Sequence, residues 1–204
     1  TTIIENAACE PEVVDLADFL VKMGAKIKGQ KTHVIEIQGV KRLSGAEHTV
    51  IPDRIETGTF MVAAVMTNGD IEIKGAIPDH VGAVVDKLVE AGARISIKNN
   101  RIKVCGRNRL KPINVTTLPY PGFPTDMQAQ LMAAMCVTAG ISIITEKVYP
   151  ERFIHISELN RMGAQIMLEG SSAIVKGIPA LSGAPVMASD LRASAALVLA
   201  GLVA

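Results

Sequence analysis

The feature that most constrains this chain is an internal repeat with a period of about 70 residues. The signature Gly-Ala-X-Ile occurs three times, at Gly24, Gly92 and Gly163, so that successive copies lie 68 and 71 residues apart. Each copy follows a segment with apolar residues at helical spacing and precedes short stretches in which apolar and polar residues alternate. We therefore predict that each glycine ends a helix and that the alternating stretches are strands with one solvated face.

Three other segments open on an aspartate and continue as helices that are apolar on almost every side. They are Asp53 to Met66, Asp126 to Val137, and Asp190 to the end of the chain. A helix that is apolar all round is buried on all sides, whereas alternating strands belong where one face meets water. The sequence predicts an inside-out α/β prism, with buried helices inside walls of sheet. Parallel inner helices would bring the three aspartates to one end.

Two copies of the repeat are complete, from about Asp53 to Gly106 and from Asp126 to Gly177. Each reads as apolar helix, strand, amphipathic helix and two strands. The chain opens partway through an earlier copy and ends partway through a later one, so we expect it to be a segment of a longer protein.

The strongest candidate for a functional site is the stretch Phe123–Gln130. Pro124 has a fixed φ, and Thr125 and Gln128 have the spacing of a capping box, so this pattern predicts a rigid entry into the helix. Asp126 would then be held beside helix N–H groups that suit an anionic ligand, where its carboxylate could accept a proton. The alternative is that Thr125 and Asp126 only cap the helix.

The composition excludes several classes of partner. The 204 residues are 49% hydrophobic, enough for one large or two smaller domains. A net charge of +1 with four Phe, two Tyr and no Trp argues against nucleic-acid binding. The apolar run over residues 195–204 is shorter than the roughly 20 residues that a membrane span needs.

The cysteines and histidines give no sign of a disulfide framework or a metal site. Three cysteines without paired spacing favour free thiols in a reducing compartment, so we expect a cytoplasmic protein. The four histidines are scattered without ligand spacing, so we expect neither a metal nor another cofactor.

Four motifs identify a family when taken together and in order. They are Pro52–Gly58, Phe123–Gln130, Glu151–Ala164 and Asp190–Ser194. The chain resembles the bacterial UDP-N-acetylglucosamine enolpyruvyl transferases over residues 1–204. The resemblance implies transfer of the enolpyruvyl group of phosphoenolpyruvate to the 3′-hydroxyl of UDP-N-acetylglucosamine with release of phosphate, the first committed step of peptidoglycan synthesis. It also implies two domains of three repeated units each, with residues 1–50 as the last part of the first domain and residues 51–204 as most of the second.

The resemblance also implies which residues meet the substrates. Asp126 matches the carboxylate at the sugar 3′-hydroxyl, where it would accept the hydroxyl proton, and Val148 matches a position that contacts the nucleotide sugar. Further positions match the substrate cleft, namely Thr125, Asp190, Arg192, Glu10 and Glu12. For Asp190 and Arg192 the alternative is a structural ion pair, and for Glu10 and Glu12 it is a solvated first helical turn after Pro11.

Two rival functions remain open at this point. A shikimate-3-phosphate enolpyruvyl transferase shares the repeat and the phosphoenolpyruvate chemistry, although the Thr125–Asp126 and Glu151–Ala164 motifs favour the sugar-nucleotide branch. The second rival is a non-catalytic nucleotide-sugar-binding fragment. The family's reactive cysteine, its Lys-Asn pair and a phosphate-binding arginine would lie outside residues 1–204, so we expect the isolated chain to be inactive and its partners to be the remaining segments of the same enzyme.

Overall fold

The computed structural model describes residues 1–106 and 109–204 and places them in two compact units. The first unit comprises residues 1–52 and 119–121, and the second comprises residues 53–118 and 122–204. The elements of the first unit are β1 (Thr2–Glu5), α1 (Pro11–Lys22), β2 (Lys26–Lys28) and β3 (Val34–Gln38). Its strands form an antiparallel sheet in the order β1-β3-β2.

The second unit contains two full copies of the predicted repeat. The first copy is α2 (Arg54–Met66), β4 (Asp70–Lys74), α3 (Gly82–Glu90), β5 (Arg94–Lys98) and β6 (Arg101–Cys105). A short strand, β7 (Val115–Thr116), precedes the second copy, which is α4 (Gln128–Cys136), β8 (Ile141–Thr145), α5 (His155–Arg161), β9 (Gln165–Glu169) and β10 (Ser172–Lys176). The last helix is α6 (Leu191–Gly201). The predicted order of helices and strands is confirmed.

Each repeat builds one wall of sheet in the second unit. The first sheet has the antiparallel order β4-β6-β5, and the second has the order β7-β8-β10-β9, in which only the β7–β8 pairing is parallel. In the second sheet Ile144 pairs with Ala173 and Ser142 pairs with Val175, and all four residues are buried. Their neighbours Ile141 and Ile143 are exposed on the other face. Each wall therefore turns one face inward and one face to solvent.

The inner helices α2, α4 and α6 pack against one another, and α4 lies against strands β8 and β10. All nine residues of α4 are buried, including the polar side chains of Gln128 and Gln130. Full burial of a large apolar side chain such as Met132 or Met135 contributes about 1.5–3 kcal/mol to stability. This confirms the predicted inside-out α/β prism, in which the helices form the core and the sheets form the outside.

The Gly-Ala signature ends the outer helix of each repeat. Gly24, Gly92 and Gly163 have φ values of 102°, 100° and 90°, a backbone region that glycine adopts at little cost. In the first copy the N–H of Gly24 donates to the carbonyl oxygen of Val21, and the N–H of Ala25 donates to that of Leu20, both at 2.9 Å. This pair of bonds is a Schellman motif, and it explains why the repeat retains a glycine followed by a small apolar residue.

Gly177, which follows β10, packs its backbone directly against the end of α4. Its N–H donates to the carbonyl oxygen of Gly140 at 2.9 Å, and a Cβ atom at this position would overlap the carbonyl oxygen of Thr138. We expect Gly177→Ala to lower the free energy of unfolding by roughly 1–3 kcal/mol, because two backbone segments would have to separate. Urea denaturation followed by circular dichroism measures this change.

Gly183→Ala is the matched control, since a Cβ atom at Gly183 meets nothing within 4 Å. We expect the stability of this control to change by less than about 0.5 kcal/mol. Equal stabilities for the two variants would show that the close packing at Gly177 is not required.

Within the two described ranges, no helix has the length and apolar character required to cross a membrane.

Candidate functional site

The candidate site is built around the carboxylate of Asp126, just before α4. Its Oδ1 accepts a hydrogen bond from Nη1 of Arg152 at 2.6 Å, and its Oδ2 accepts one from Nη2 of Arg192 at 2.9 Å. Arg152 lies three residues before α5, and Arg192 lies in the first turn of α6. About a fifth of the Asp126 side chain remains exposed. One carboxylate therefore joins the starts of three helices and still faces solvent.

The arginines keep Asp126 ionised. Burial alone would raise the pKa of this carboxyl group, but hydrogen bonds from Arg192 and Arg152, together with their charges, outweigh it and hold the pKa below the ordinary value of 3.8. Asp126 is therefore a carboxylate at neutral pH, able to accept hydrogen bonds. Its affinity for a proton is low while both guanidinium groups are in contact with it.

The capping box predicted for Thr125 and Gln128 is wrong. Thr125–Met127 form a 3₁₀ turn without a side-chain cap, and α4 begins only at Gln128. The hydroxyl of Thr125 donates to Oε2 of Glu146 at 2.9 Å, and Nε2 of Gln128 donates to the carbonyl oxygen of Arg152 at 3.2 Å. Both side chains therefore form hydrogen bonds with residues outside α4 and do not cap it. Asp126 is accordingly fixed by ion pairs rather than by a role as a helix cap.

Asp190 and Arg192 do not form the structural ion pair that was the alternative to a role in the substrate cleft. Oδ1 of Asp190 caps α6 by accepting from the backbone N–H groups of Arg192 at 2.8 Å and Ala193 at 2.9 Å. These bonds, that of Ala193 most of all, lower the pKa of Asp190. The guanidinium of Arg192 donates instead to Asp126. Asp190 thus sets the start of α6 and thereby the position from which Arg192 reaches Asp126.

The three aspartates that open the inner helices lie around one guanidinium group. The pKa of Arg192 is raised chiefly by its hydrogen bond to Asp126, and the charges of Asp190 and Asp53 add to this effect. Asp53 caps α2 by accepting from the N–H groups of Ile55 at 2.7 Å and Glu56 at 3.0 Å. The inner helices therefore start at one end of the second unit, as the repeat predicted.

Val148 lies in the loop that follows β8, next to a fully buried carboxylate. Oε1 of Glu146 accepts from the backbone N–H groups of Val148 at 2.8 Å and Tyr149 at 2.9 Å, and from the hydroxyl of Thr117 at 2.6 Å. The side chains of Val148 and Tyr149 are exposed, and the ring of Tyr149 lies 5.2 Å from the guanidinium carbon of Arg152. This loop therefore presents exposed apolar surface beside the Asp126 site.

Glu10 and Glu12 lie in the first unit. Glu10 occupies the N-cap position of α1, and its Oε1 accepts from the backbone N–H of Tyr120 at 3.3 Å. Glu12 lies in the first turn of α1, after Pro11, and its side chain is exposed. Glu12 therefore lies in the first helical turn and Glu10 directly before it, and a role for either residue in substrate binding stays a prediction.

Sequence reasoning gave no role to Arg152 or Glu146. Arg152 belongs to the Glu151–Ala164 motif, but no spacing in the sequence connects it with Asp126. Glu146 follows an apolar strand, where a single acidic residue reads most simply as the solvated end of that strand. The only sequence signal for either residue was that it is charged and lies next to a segment predicted to be buried.

The described residues show free thiols at Cys9, Cys105 and Cys136, as predicted. Burial raises the pKa of the Cys136 thiol to about 12, which keeps this residue in the protonated form. In residues 1–106 and 109–204, no three His, Cys, Asp or Glu side chains come together as a potential metal site.

The fold places this chain among the enolpyruvyl transferases. The crystal structure of the enolpyruvyl transferase NikO from Streptomyces tendae matches it with a TM-score of 0.82 and 26% sequence identity, over 98% of this chain and 48% of that one. An EPSP synthase from Acinetobacter baumannii shares the fold with a TM-score of 0.64 and 21% identity, over 91% of this chain and 47% of that one. The chain belongs to the family described as EPSP synthase (3-phosphoshikimate 1-carboxyvinyltransferase), which it matches over residues 1–204.

Curated relatives are more similar in sequence. UDP-N-acetylglucosamine 1-carboxyvinyltransferase 1 of Caldanaerobacter subterraneus subsp. tengcongensis is 60% identical over 203 residues, and the match covers 100% of this chain and 49% of that protein. UDP-N-acetylglucosamine 1-carboxyvinyltransferase of Desulfosudis oleivorans is 60% identical over 204 residues, with the same coverage. The chain thus spans about half the length of the curated relatives that it matches.

Proposed function

We propose that the complete protein containing this chain transfers the enolpyruvyl group of phosphoenolpyruvate to the 3′-hydroxyl of UDP-N-acetylglucosamine and releases phosphate. The names of the 60% identical relatives support the sugar-nucleotide acceptor over shikimate 3-phosphate. The observation that carries the proposal is the geometry of Asp126, an ionised and partly exposed carboxylate held by Arg152 and Arg192. The product would be the first intermediate committed to peptidoglycan, made in the cytoplasm.

Asp126 orients the acceptor hydroxyl in this proposal. Each carboxylate oxygen can accept about two hydrogen bonds, so the contacts to Arg152 and Arg192 leave room for a hydroxyl donor. As that hydroxyl attacks C2 of phosphoenolpyruvate, it must lose its proton, and a carboxylate within hydrogen-bond distance can receive it. Asp126 combines this capacity with a side chain that is about a fifth exposed.

The arginines supply the other requirement of the reaction. Addition gives a tetrahedral intermediate that carries both a phosphate and a carboxylate, and elimination then expels the phosphate. Positively charged groups that are already in position before the reaction stabilise such anionic species. An anionic substrate that draws Arg152 or Arg192 from Asp126 also removes the contacts that depress the pKa of this carboxyl group. Binding of phosphoenolpyruvate would in this way raise the pKa of Asp126 and make it a better base.

The remaining predicted residues take supporting roles in the proposal. Thr125 and Val148 line the acceptor side of the site, and Asp190 positions Arg192 by capping α6. The proposal also includes Glu10 and Glu12 among the substrate-binding residues. Residues 1–50 would be the last part of that domain, and residues 51–204 would be most of the second domain.

Acceptor choice tests the proposal directly. Phosphate release by the complete protein is measured with phosphoenolpyruvate and either UDP-N-acetylglucosamine or shikimate 3-phosphate. We expect kcat/KM to favour UDP-N-acetylglucosamine by at least about 10⁴-fold, because a site that hydrogen-bonds one acceptor rejects a compound lacking the matching groups. Preference for shikimate 3-phosphate would contradict the proposal. The isolated 204-residue chain is the control and should release no phosphate.

A further inference from the structure

Glu146 is a carboxylate with no exposed surface that accepts four hydrogen bonds. The hydroxyl of Thr117 and the backbone N–H groups of Val148 and Tyr149 donate to its Oε1, and the hydroxyl of Thr125 donates to its Oε2. Burying a charged group is costly unless its hydrogen-bonding capacity is met. A site that meets it with four donors is organised for this side chain.

The hydroxyl groups of Thr117 and Thr125 each have a second hydrogen-bond partner, and this partner fixes which way the hydroxyl proton points. The oxygen of Thr117 already accepts from the backbone N–H of Lys147 at 3.0 Å, and that of Thr125 accepts from Nη1 of Arg152 at 3.1 Å. Each hydroxyl is thereby free to direct its single proton to Glu146. All four neighbours of Glu146 thus act as donors, which is the arrangement that an ionised carboxylate requires.

The two oxygens of Glu146 serve different parts of the site. Oε1 fixes the backbone of residues 147–149, where Val148 lies. Oε2 holds Thr125, whose hydroxyl is bound by the same Nη1 atom of Arg152 that donates to Asp126. A continuous path of hydrogen bonds therefore leads from the buried carboxylate to the exposed one through a hydroxyl and a guanidinium group.

We propose that Glu146 is a positioning residue that acts through Thr125 and Arg152 to hold Asp126 in its reactive orientation. This inference rests on the proposed function of Asp126. Glu146 itself has no exposed surface, so it does not touch substrate. Its effect is on the rate of the chemical step, because misplacement of reacting groups by about 1 Å can cost 10²-fold in rate.

Substitutions can separate the contacts of Oε2 of Glu146 from those of its Oε1. Glu146→Gln retains an oxygen for the donors at Oε1 but places an NH₂ group opposite Thr125, where it cannot accept the hydroxyl proton. Thr125→Val removes the hydroxyl itself, and Thr125→Ser restores it. Thr145→Val is the matched control, because Thr145 adjoins Glu146 in sequence while its hydroxyl bonds to Ser172 at 2.8 Å instead.

The experiment measures kcat and the KM for UDP-N-acetylglucosamine in the complete protein, with thermal unfolding recorded for every variant. We expect Glu146→Gln and Thr125→Val each to lower kcat by about 10- to 100-fold. In Glu146→Gln the KM should stay within threefold of wild type, because Glu146 does not touch substrate. Thr125→Ser should restore kcat relative to Thr125→Val, and the control Thr145→Val should stay within threefold of wild type in both constants. Because Glu146 and Thr125 act in series, the double variant should be no slower than the slower single variant.

Several outcomes would overturn the role of Glu146. One is a normal kcat in Thr125→Val, which decides the matter even where Glu146→Gln fails to fold. Others are a loss in Thr125→Val that Thr125→Ser does not restore, and losses that multiply in the double variant. A wild-type protein that is inactive towards UDP-N-acetylglucosamine would instead refute the proposed function, and the role of Glu146 with it.

Discussion

In the complete protein, Asp126→Asn is expected to lower kcat for enolpyruvyl transfer by about 10²- to 10⁴-fold. Asparagine keeps the size of the side chain and one acceptor oxygen, so it can still hold Arg152 or Arg192. It cannot accept the proton that the attacking hydroxyl loses. The affinity for UDP-N-acetylglucosamine should change much less than kcat, since one hydrogen bond to the acceptor remains possible. Steady-state phosphate release and calorimetric titration measure the two quantities.

Asp86→Asn is the matched control for this change. Asp86 is an exposed aspartate on the outer helix α3, and its replacement removes the same charge from the same unit. Its kcat should lie within twofold of wild type. Turnover of Asp126→Asn within threefold of wild type would reduce Asp126 to a structural partner of the two arginines.

The protein should lose about 3 kcal/mol of stability as pH falls from 6.5 to 4 because of one histidine. His155, the first residue of α5, is 1% exposed. Burial lowers its pKa from 6.5 to about 4, while the nearby Asp190 raises it and Arg152 lowers it. The unfolded chain therefore binds a proton between these pH values that the folded chain does not. The stability from neutral His155 is complete above pH 6.5 and is lost as pH approaches 4.

His155→Gln tests this assignment because glutamine is polar, similar in size and does not titrate. The free energy of unfolding from urea titrations should fall less steeply with pH in this variant, over the same window. His33→Gln, at an exposed position, is the control for replacing a histidine by glutamine. Asp126 and Asp190 have lowered pKa values, so the stability that they contribute is present above pH 3.8 and is lost as pH falls below it; both residues are present in all three proteins. Parallel curves for wild type and His155→Gln would exclude His155 as the cause.

The fold was accessible from the sequence because its determinants are local. The all-round apolar character of α4 and the Gly-Ala ends of the outer helices each occupy one short segment, and each has a direct structural meaning. The repeat then predicted which elements lie inside and which lie outside, because both copies have the same apolar helix to bury. The predicted capping box failed because Thr125 and Gln128 bind partners outside their own helix.

The site was accessible only in part, because its contacts join distant segments. Asp126 lies 26 residues from Arg152 and 66 residues from Arg192 along the chain. No local spacing records such pairings, which depend on how three helices pack. Asp126 was found because its proline turn and buried helix are adjacent in sequence. Glu146 was missed because only its tertiary partners distinguish it from an ordinary strand end.

The most direct test of the account is a binding cycle between Asp126 and the acceptor hydroxyl. Calorimetry gives the affinities of UDP-N-acetylglucosamine and its 3′-deoxy analogue for the wild-type complete protein and for Asp126→Ala. A hydrogen bond to a charged group contributes about 1.5–3 kcal/mol, so loss of the hydroxyl should weaken binding to wild type by roughly 10- to 100-fold. In Asp126→Ala the two ligands should bind within twofold of each other. An equal loss of affinity in both proteins would show that Asp126 does not face the 3′-hydroxyl.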